Sequence, residues 1–131
     1  MKKKPYPELP ILLVDDEESF LDSLKNNLRL FGKITNVECC EDSRDVMPLL
    51  AQKKFSLIIL DILMPYIRGD ELLPEIRGKY PDQKVILLTA ISRESIKINP
   101  SNNRDVDYIM KPFDSQQLIA IIKEKLDEKN P

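Results

Sequence analysis

The sequence predicts an α/β fold, an open parallel sheet of five strands with helices on both faces, and three observations carry that expectation. Short apolar runs alternate along the chain with segments whose apolar residues recur every three or four positions. The runs are apolar at nearly every residue rather than at every second one, as strands buried on both faces require. Several of them stop on a polar side chain: Val14 before Asp15, Leu60 before Asp61, Leu88 before Thr89 and Met110 before Lys111. With 131 residues, 42% of them apolar, the chain suffices for one core and leaves no room for a second domain.

Leu9 to Val14 reads as the first strand, emerging at the acidic run Asp15 to Glu18. From Ser19 onward Phe20, Leu24, Leu28 and Phe31 recur at helical spacing, and Gly32 is expected to take the left-handed cap that follows. Ile34 to Cys40 is the second strand; Asp42 or Ser43 should cap a helix carrying Val46, Leu49 and Leu50, weakened at its middle by Pro48. Phe55 to Leu60 is the clearest strand, followed by a loop and a short helix with Leu72, Leu73 and Ile76, Pro74 in its first turn and Gly78 at its end. Val85 to Leu88 and Val106 to Met110 form the fourth and fifth strands. Between them residues 92–105 should hold a helix that Asn99, Pro100, Asn102 and Asn103 shorten or distort. Leu118, Ile119, Ile121, Ile122 and Leu126 mark a final amphipathic helix. Residues 1–8, opening with Lys2, Lys3 and Lys4 and containing Pro5 and Pro7, are expected to be a flexible N-terminal segment, and residues 9–129 the domain.

Composition excludes several classes of function. Lys and Arg number 20 against 22 Asp and Glu, so the net charge of −2 exerts no general pull toward nucleic acid or anionic lipid. No apolar stretch is long enough to cross a bilayer or to act as a signal peptide, and a cytoplasmic protein without a membrane partner is expected. Cys39 and Cys40, adjacent in a strand, point to opposite faces and should stay free thiols. The absence of histidine removes Ser-His-Asp catalysis, Cys-His pairs and His-ligated metals. Carboxylate, hydroxyl and lysine chemistry remain.

Open parallel sheets bind ligands at the carboxyl ends of their strands, where strand order reverses. The flavodoxin-like order 2-1-3-4-5, a three-layer (βα)5 sandwich, is adopted as a common arrangement for five such units rather than read from the residues. It brings Asp15, Asp16 and Asp61 together between the first and third strands. Clustered carboxylates either hold protons or recruit a hard cation; magnesium suits a few carboxylates at an open edge, whereas calcium wants a fuller cage. Thr89 and Lys111 supply a hydroxyl donor and a positive charge, which with the cation would surround an anion such as a phosphoryl group. Singly, each residue has an ordinary explanation: Asp15 and Asp16 as helix caps, Thr89 as a solvated strand residue, Lys111 as a surface charge with a buried stem. Their shared place at strand ends favours a site.

Asp15-Asp16 after the first strand, Asp61-Ile62-Leu63-Met64-Pro65 with Gly69, Thr89-Ala90, and Lys111-Pro112-Phe113 together resemble the receiver domains of two-component response regulators, the CheY-like family. The resemblance spans essentially the whole chain, and its specificity lies in having all four fragments in order, each at a strand end. It implies that Asp61 is the phosphoacceptor, attacking a phosphohistidine on a sensor histidine kinase or a histidine phosphotransfer protein to form an acyl phosphate. It implies a magnesium ion, with manganese as the alternate, held by Asp16, Asp61 and the backbone carbonyl of Leu63, with Asp15 acting through a bound water. Lys111 would neutralise the phosphoryl oxygens, and Thr89 would hydrogen-bond the attached group and move toward it. Tyr108 matches the family's aromatic switch, which remodels the face of the fourth helix, fifth strand and fifth helix where a downstream target docks; a simply packed aromatic stays open as the alternative. The Lys111-Pro112 bond is expected to be cis. The family implies a protein that promotes only its own phosphorylation and dephosphorylation and is not otherwise an enzyme, as a monomer or a weak phosphorylation-linked dimer.

Two departures from the family pattern have consequences. The positions two after Asp61 and two after Thr89, which tune loss of the phosphoryl group, are the apolar Leu63 and Ile91, so self-dephosphorylation should be slow. Asn103-Arg104-Asp105 stands where a small Gly-Ala pair is usual, which bears on the shape of the output face. Competing expectations are a receiver excised from a hybrid kinase or longer regulator, a relay intermediate, and an aspartyl-phosphate phosphatase or phosphotransferase. The last would need a general-acid Asp where Leu63 stands. Flavin binding is a further option on this fold, disfavoured because clustered carboxylates repel a phosphate.

Overall fold

A computed structural model describes residues 4–96 and 106–128. Along the chain lie β1 (Ile11–Val14), α1 (Glu18–Gly32), β2 (Val37–Cys40), a 3-10 turn (Ser43–Asp45), α2 (Val46–Gln52), β3 (Leu57–Leu60), α3 (Gly69–Lys79), β4 (Val85–Thr89), a second 3-10 turn (Arg93–Ser95), β5 (Asp107–Met110) and α4 (Ser115–Asp127). The strands form one sheet in the order β2-β1-β3-β4-β5, with every neighbouring pair parallel. The fold is the flavodoxin-like α/β arrangement expected from the sequence.

Strand alternation divides the core in two. Ile11, Leu13, Leu57, Ile59, Ile86 and Leu88 meet Leu21, Leu24 and Leu28 of α1 and Leu118, Ile119 and Ile122 of α4 on one face. Leu12, Val14, Ile58, Leu60, Val85 and Leu87 meet Val46 and Leu50 of α2 and Leu72, Leu73 and Ile76 of α3 on the other. Because both faces are apolar, alternation alone does not set register; the polar residue at each strand end does. A slip that drew Asp15 or Asp61 into the sheet would bury an unpaired carboxylate, which costs several kcal/mol or more. The observed register pairs Val14 with both Cys40 and Leu60, so Asp15 and Asp61 leave the sheet side by side.

Local details depart from expectation for identifiable reasons. The left-handed residue after α1 is Lys33, with φ of 55°, while Gly32 closes the helix. Gly32 sits in a tight spot: a Cβ there would lie 3.2 Å from side-chain methyls of both Ile119 and Ile34, which would have to give by a few tenths of an ångström. Phe31 is 68% exposed instead of facing the core, its place in the buried stripe taken by Leu21, Leu24 and Leu28. Pro48 is the third residue of α2, where no intrahelical donor is lost, because the 3-10 turn capped by Asp42 precedes it. Pro74 is the sixth residue of α3 and therefore interior, and the helix continues through Gly78 to Lys79. Of the helix expected over residues 92–105, the turn Arg93–Ser95 is described, while residues 97–105 lie outside the described residues.

Tyr6, Pro7 and Glu8 pack back on the loop before β2: the Tyr6 carbonyl accepts from the amides of Thr35 and Asn36, and the Asn36 side chain donates to the carbonyls of Pro7 and Glu8. Cys39 is exposed and Cys40 buried, both as free thiols, as opposite strand faces dictate. No helix among the described residues is long and apolar enough to cross a membrane.

Candidate functional site

The carboxyl ends of β1 and β3 deliver Asp15, Asp16 and Asp61 to one spot, with one carboxylate oxygen of each lying within 4.8 Å of the others. Asp15 and Asp61 are 2% and 8% exposed, while Asp16 opens to solvent. Their backbones are tied into the sheet edge, the Asp15 amide to the Cys40 carbonyl and the Asp61 amide to the Val14 carbonyl. Asp15 Oδ1 accepts the amide of Glu17 in a turn that leads into α1, but Glu17 is itself the N-cap and no side chain caps the helix, so the helix-cap explanation does not hold for Asp15. The other oxygen serves the site.

That oxygen, Oδ2, accepts from Lys111 Nζ at 2.7 Å, and Asp61 Oδ2 lies 3.6 Å from the same ammonium. Lys111 follows β5 through a cis bond to Pro112, and its amide donates to the carbonyl of Thr89. Thr89, opposite Met110 in the sheet, is buried, and its Oγ1 accepts the amide of Ile91. Tyr108 is half-buried against the core face covered by α2 and α3. Leu63 and Ile91 lie in the loops beyond Asp61 and Thr89, the Leu63 side chain 46% exposed.

Burial pushes the Asp61 carboxyl above its ordinary value; Lys111 and the Ile62 amide pull it down, and Asp15 and Asp16 push it up again. Asp61 accepts the Ile62 amide through Oδ1, and its Oδ2 lies toward the lysine. Such a carboxylate is poorly solvated and surrounded by like charge, which favours anything positive that can join it.

The loop after Asp61 is held by contacts that the sequence pattern does not show. Ser43, buried at the first 3-10 turn, donates to the Pro65 carbonyl at 2.7 Å and accepts the Ile67 amide at 3.1 Å, stitching two loops together. Tyr66 takes a left-handed φ of 72° and lies under the guanidinium of Arg44, 3.6 Å from the ring centroid. Arg68 grips the fully buried Asp70 through two hydrogen bonds at the start of α3. Gly69 was noted for its place in the motif, and its physical reason is now visible: a Cβ would sit 2.1 Å from the Asp61 carbonyl oxygen, against backbone that cannot yield. Ser43, expected from the sequence only as a possible helix cap, reaches loop partners more than twenty residues away that only the fold brings near, whereas the Arg68–Asp70 pair is local.

The donor set suits a small hard cation. All three candidate ligands are carboxylate oxygens, gathered within 4.8 Å of one another at an open sheet edge, the hard-oxygen donor set that magnesium prefers. With Lys111 at the rim, the arrangement can bind a cation and then an anion beside it.

Comparison with known proteins agrees with this geometry. The family described as response regulator receiver domain matches residues 11–123. Among solved structures, a CheY-like receiver domain protein from Methanospirillum hungatei JF-1 is 34% identical, with a TM-score of 0.80 over 91% of this chain and 94% of that one. TrrA from Thermotoga maritima, described as a complex with Mg(2+)-BeF, is 31% identical, with a TM-score of 0.77 over 89% of this chain and 98% of that one. A receiver domain protein from Clostridium thermocellum is 25% identical, with a TM-score of 0.78 over 91% of this chain and 94% of that one.

Proposed function

This chain belongs to the response regulator receiver domain family, and from that membership and the acidic site we propose that it is a phosphorylation-dependent signalling module whose acceptor is Asp61. The observation that carries this reading is the meeting of Asp61 with two further carboxylates and a lysine at one sheet edge. An Asp61 carboxylate oxygen attacks phosphorus; the bond from phosphorus to one nitrogen of the donor imidazole breaks; the ring, already protonated on its other nitrogen, leaves as neutral imidazole, and Asp61 becomes an acyl phosphate. Lys111 neutralises phosphoryl oxygens as charge moves onto them, and Thr89 hydrogen-bonds the attached group.

Asp15, Asp16, Asp61 and the backbone carbonyl of Leu63 would hold the divalent ion, Asp15 acting through a water. When bound, magnesium would supply charge neutralisation at the phosphoryl oxygens and relief of the crowding among the carboxylates. The donor would be a sensor histidine kinase or a histidine phosphotransfer protein in the cytoplasm. The readout would be a partner docking at the β5 edge that carries Tyr108, the face expected of the fourth helix (residues 92–105), β5 and the fifth helix, here α4, without nucleic acid and without a turnover substrate of its own. Support for the ionic part of this reading comes from the Mg(2+)-BeF complex of the similar TrrA protein. Leu63, where a phosphatase or phosphotransferase would carry a general acid, argues against turnover of phosphate esters.

Intact-mass measurement after incubation with acetyl phosphate and magnesium tests the proposal. The wild-type chain should gain one phosphoryl group and the Asp61→Asn variant none. An adduct on both, or on neither, would reject Asp61 as acceptor.

A further inference from the structure

Lys111 has a neighbour besides the carboxylates. Its ammonium lies 4.0 Å from the ring centroid of Phe20, in the first turn of α1. The Phe20 ring meets Phe113 edge to face, centroids 6.2 Å apart and planes at 84°. The ammonium thus contacts both an aromatic face and the two carboxylates of Asp15 and Asp61.

We propose that Phe20 is a positioning residue that holds the Lys111 ammonium over the acceptor, and this rests on reading Asp61 as that acceptor. Asp15 now gives Lys111 its shortest contact, yet Asp15 is also one of the three carboxylates grouped to take a cation. Once its charge is shared with a cation, its hold on the lysine weakens. A ring face attracts the ammonium through its quadrupole and accepts none of its directed hydrogen bonds, so the three N–H donors stay available to phosphoryl oxygens. The T-shaped contact with Phe113 fixes the ring in turn, so the lysine keeps its place whether or not Asp15 is engaged. Helical spacing accounts for Phe20 as part of the apolar stripe, and it does pack against the core beneath α1 and α4. Packing alone does not require its face to meet an ammonium.

The test compares wild type with Phe20→Leu and Phe20→Tyr in three measurements: the rate of adduct formation from acetyl phosphate, magnesium affinity by NMR titration, and the chemical shift of the Lys111 ε-methylene protons. Phe20→Leu should slow the adduct about tenfold, the rate equivalent of losing a desolvated cation–π contact. Magnesium affinity should be unchanged, and Phe20→Tyr should recover most of the rate. Equal rates in wild type and Phe20→Leu would overturn the proposal, as would a slow Phe20→Tyr, or a rate loss matched by loss of magnesium affinity. The ring current of Phe20 should move the Lys111 ε-protons upfield in wild type and not in Phe20→Leu. If wild type forms no adduct, the acceptor reading fails and the lysine shift decides alone: no upfield displacement overturns the contact, and a displacement lost in Phe20→Leu sustains it.

Discussion

At Asp61 two effects oppose each other within a few ångströms: burial disfavours its charge, and Lys111 favours it. Burial is the larger, so the folded chain holds a proton on Asp61 more tightly than the unfolded chain does. Between the unfolded and the raised folded value the native state binds more protons, and stability from this group falls as pH rises through that window. Without divalent ions, Asp61→Asn should therefore unfold at higher temperature than wild type at neutral pH, by about 4 °C if the relief is about 1 kcal/mol, and the gap should close in acid. Calorimetry across pH in chelator checks this; a gap that widens on acidification would reverse the sign. Leu63 carries a second expectation at this scale. Half-exposed and apolar, it cannot orient water toward an acyl phosphate on Asp61, so the adduct should decay slowly, and Leu63→Asn should shorten its lifetime by on the order of tenfold. Following the loss of phosphoryl mass over time reads both lifetimes, and no change in the variant would remove Leu63 from the explanation.

Among the elements, α3 tolerates an interior proline because its buried stripe, Leu72, Leu73 and Ile76, lies on the sheet while Pro74 faces solvent. Pro74 has no N–H to donate to the carbonyl four residues before it, and its ring crowds that turn. Pro74→Ala should stabilise the chain by about 1–3 kcal/mol, read from the urea midpoint at unchanged slope. An unchanged midpoint would mean that the helix bends around the ring at no cost. The far end of α4 shows the opposite economy of contacts: Lys84 donates to the carbonyls of Lys125 and Glu128, giving the last turn a cation as well as hydrogen-bond partners. Lys125 itself is buried between Asp107 and Glu128.

For the whole molecule, acidic side chains gathered at one pole oppose folding by mutual repulsion, and an ion that binds only the folded site should offset it. Magnesium at a hundredfold excess over its dissociation constant should raise stability by about 2.7 kcal/mol. Asp16→Asn should reduce that gain, Asp16 being the exposed member of the cluster. A melting temperature independent of magnesium, in wild type as in the variant, would deny the ion a place in the site.

Periodicity and the polar residues that stop each apolar run were enough to establish the layered α/β class, the strands, and a sheet edge bearing Asp15, Asp61, Thr89 and Lys111. These signals are local, set by which side chains a strand or helix must bury. Strand order was not readable in that way, because a strand apolar on both faces does not say which neighbour it takes. Pro74 and Phe31 were misjudged because helix limits and helix rotation depend on packing against the sheet. The contacts that tune the site, Phe20 on Lys111, Ser43 between two loops and Gly69 against the Asp61 carbonyl, were decided by the tertiary structure alone. Each joins residues far apart in the chain or turns on an approach of a few ångströms, and distance through space has no counterpart in the order of residues.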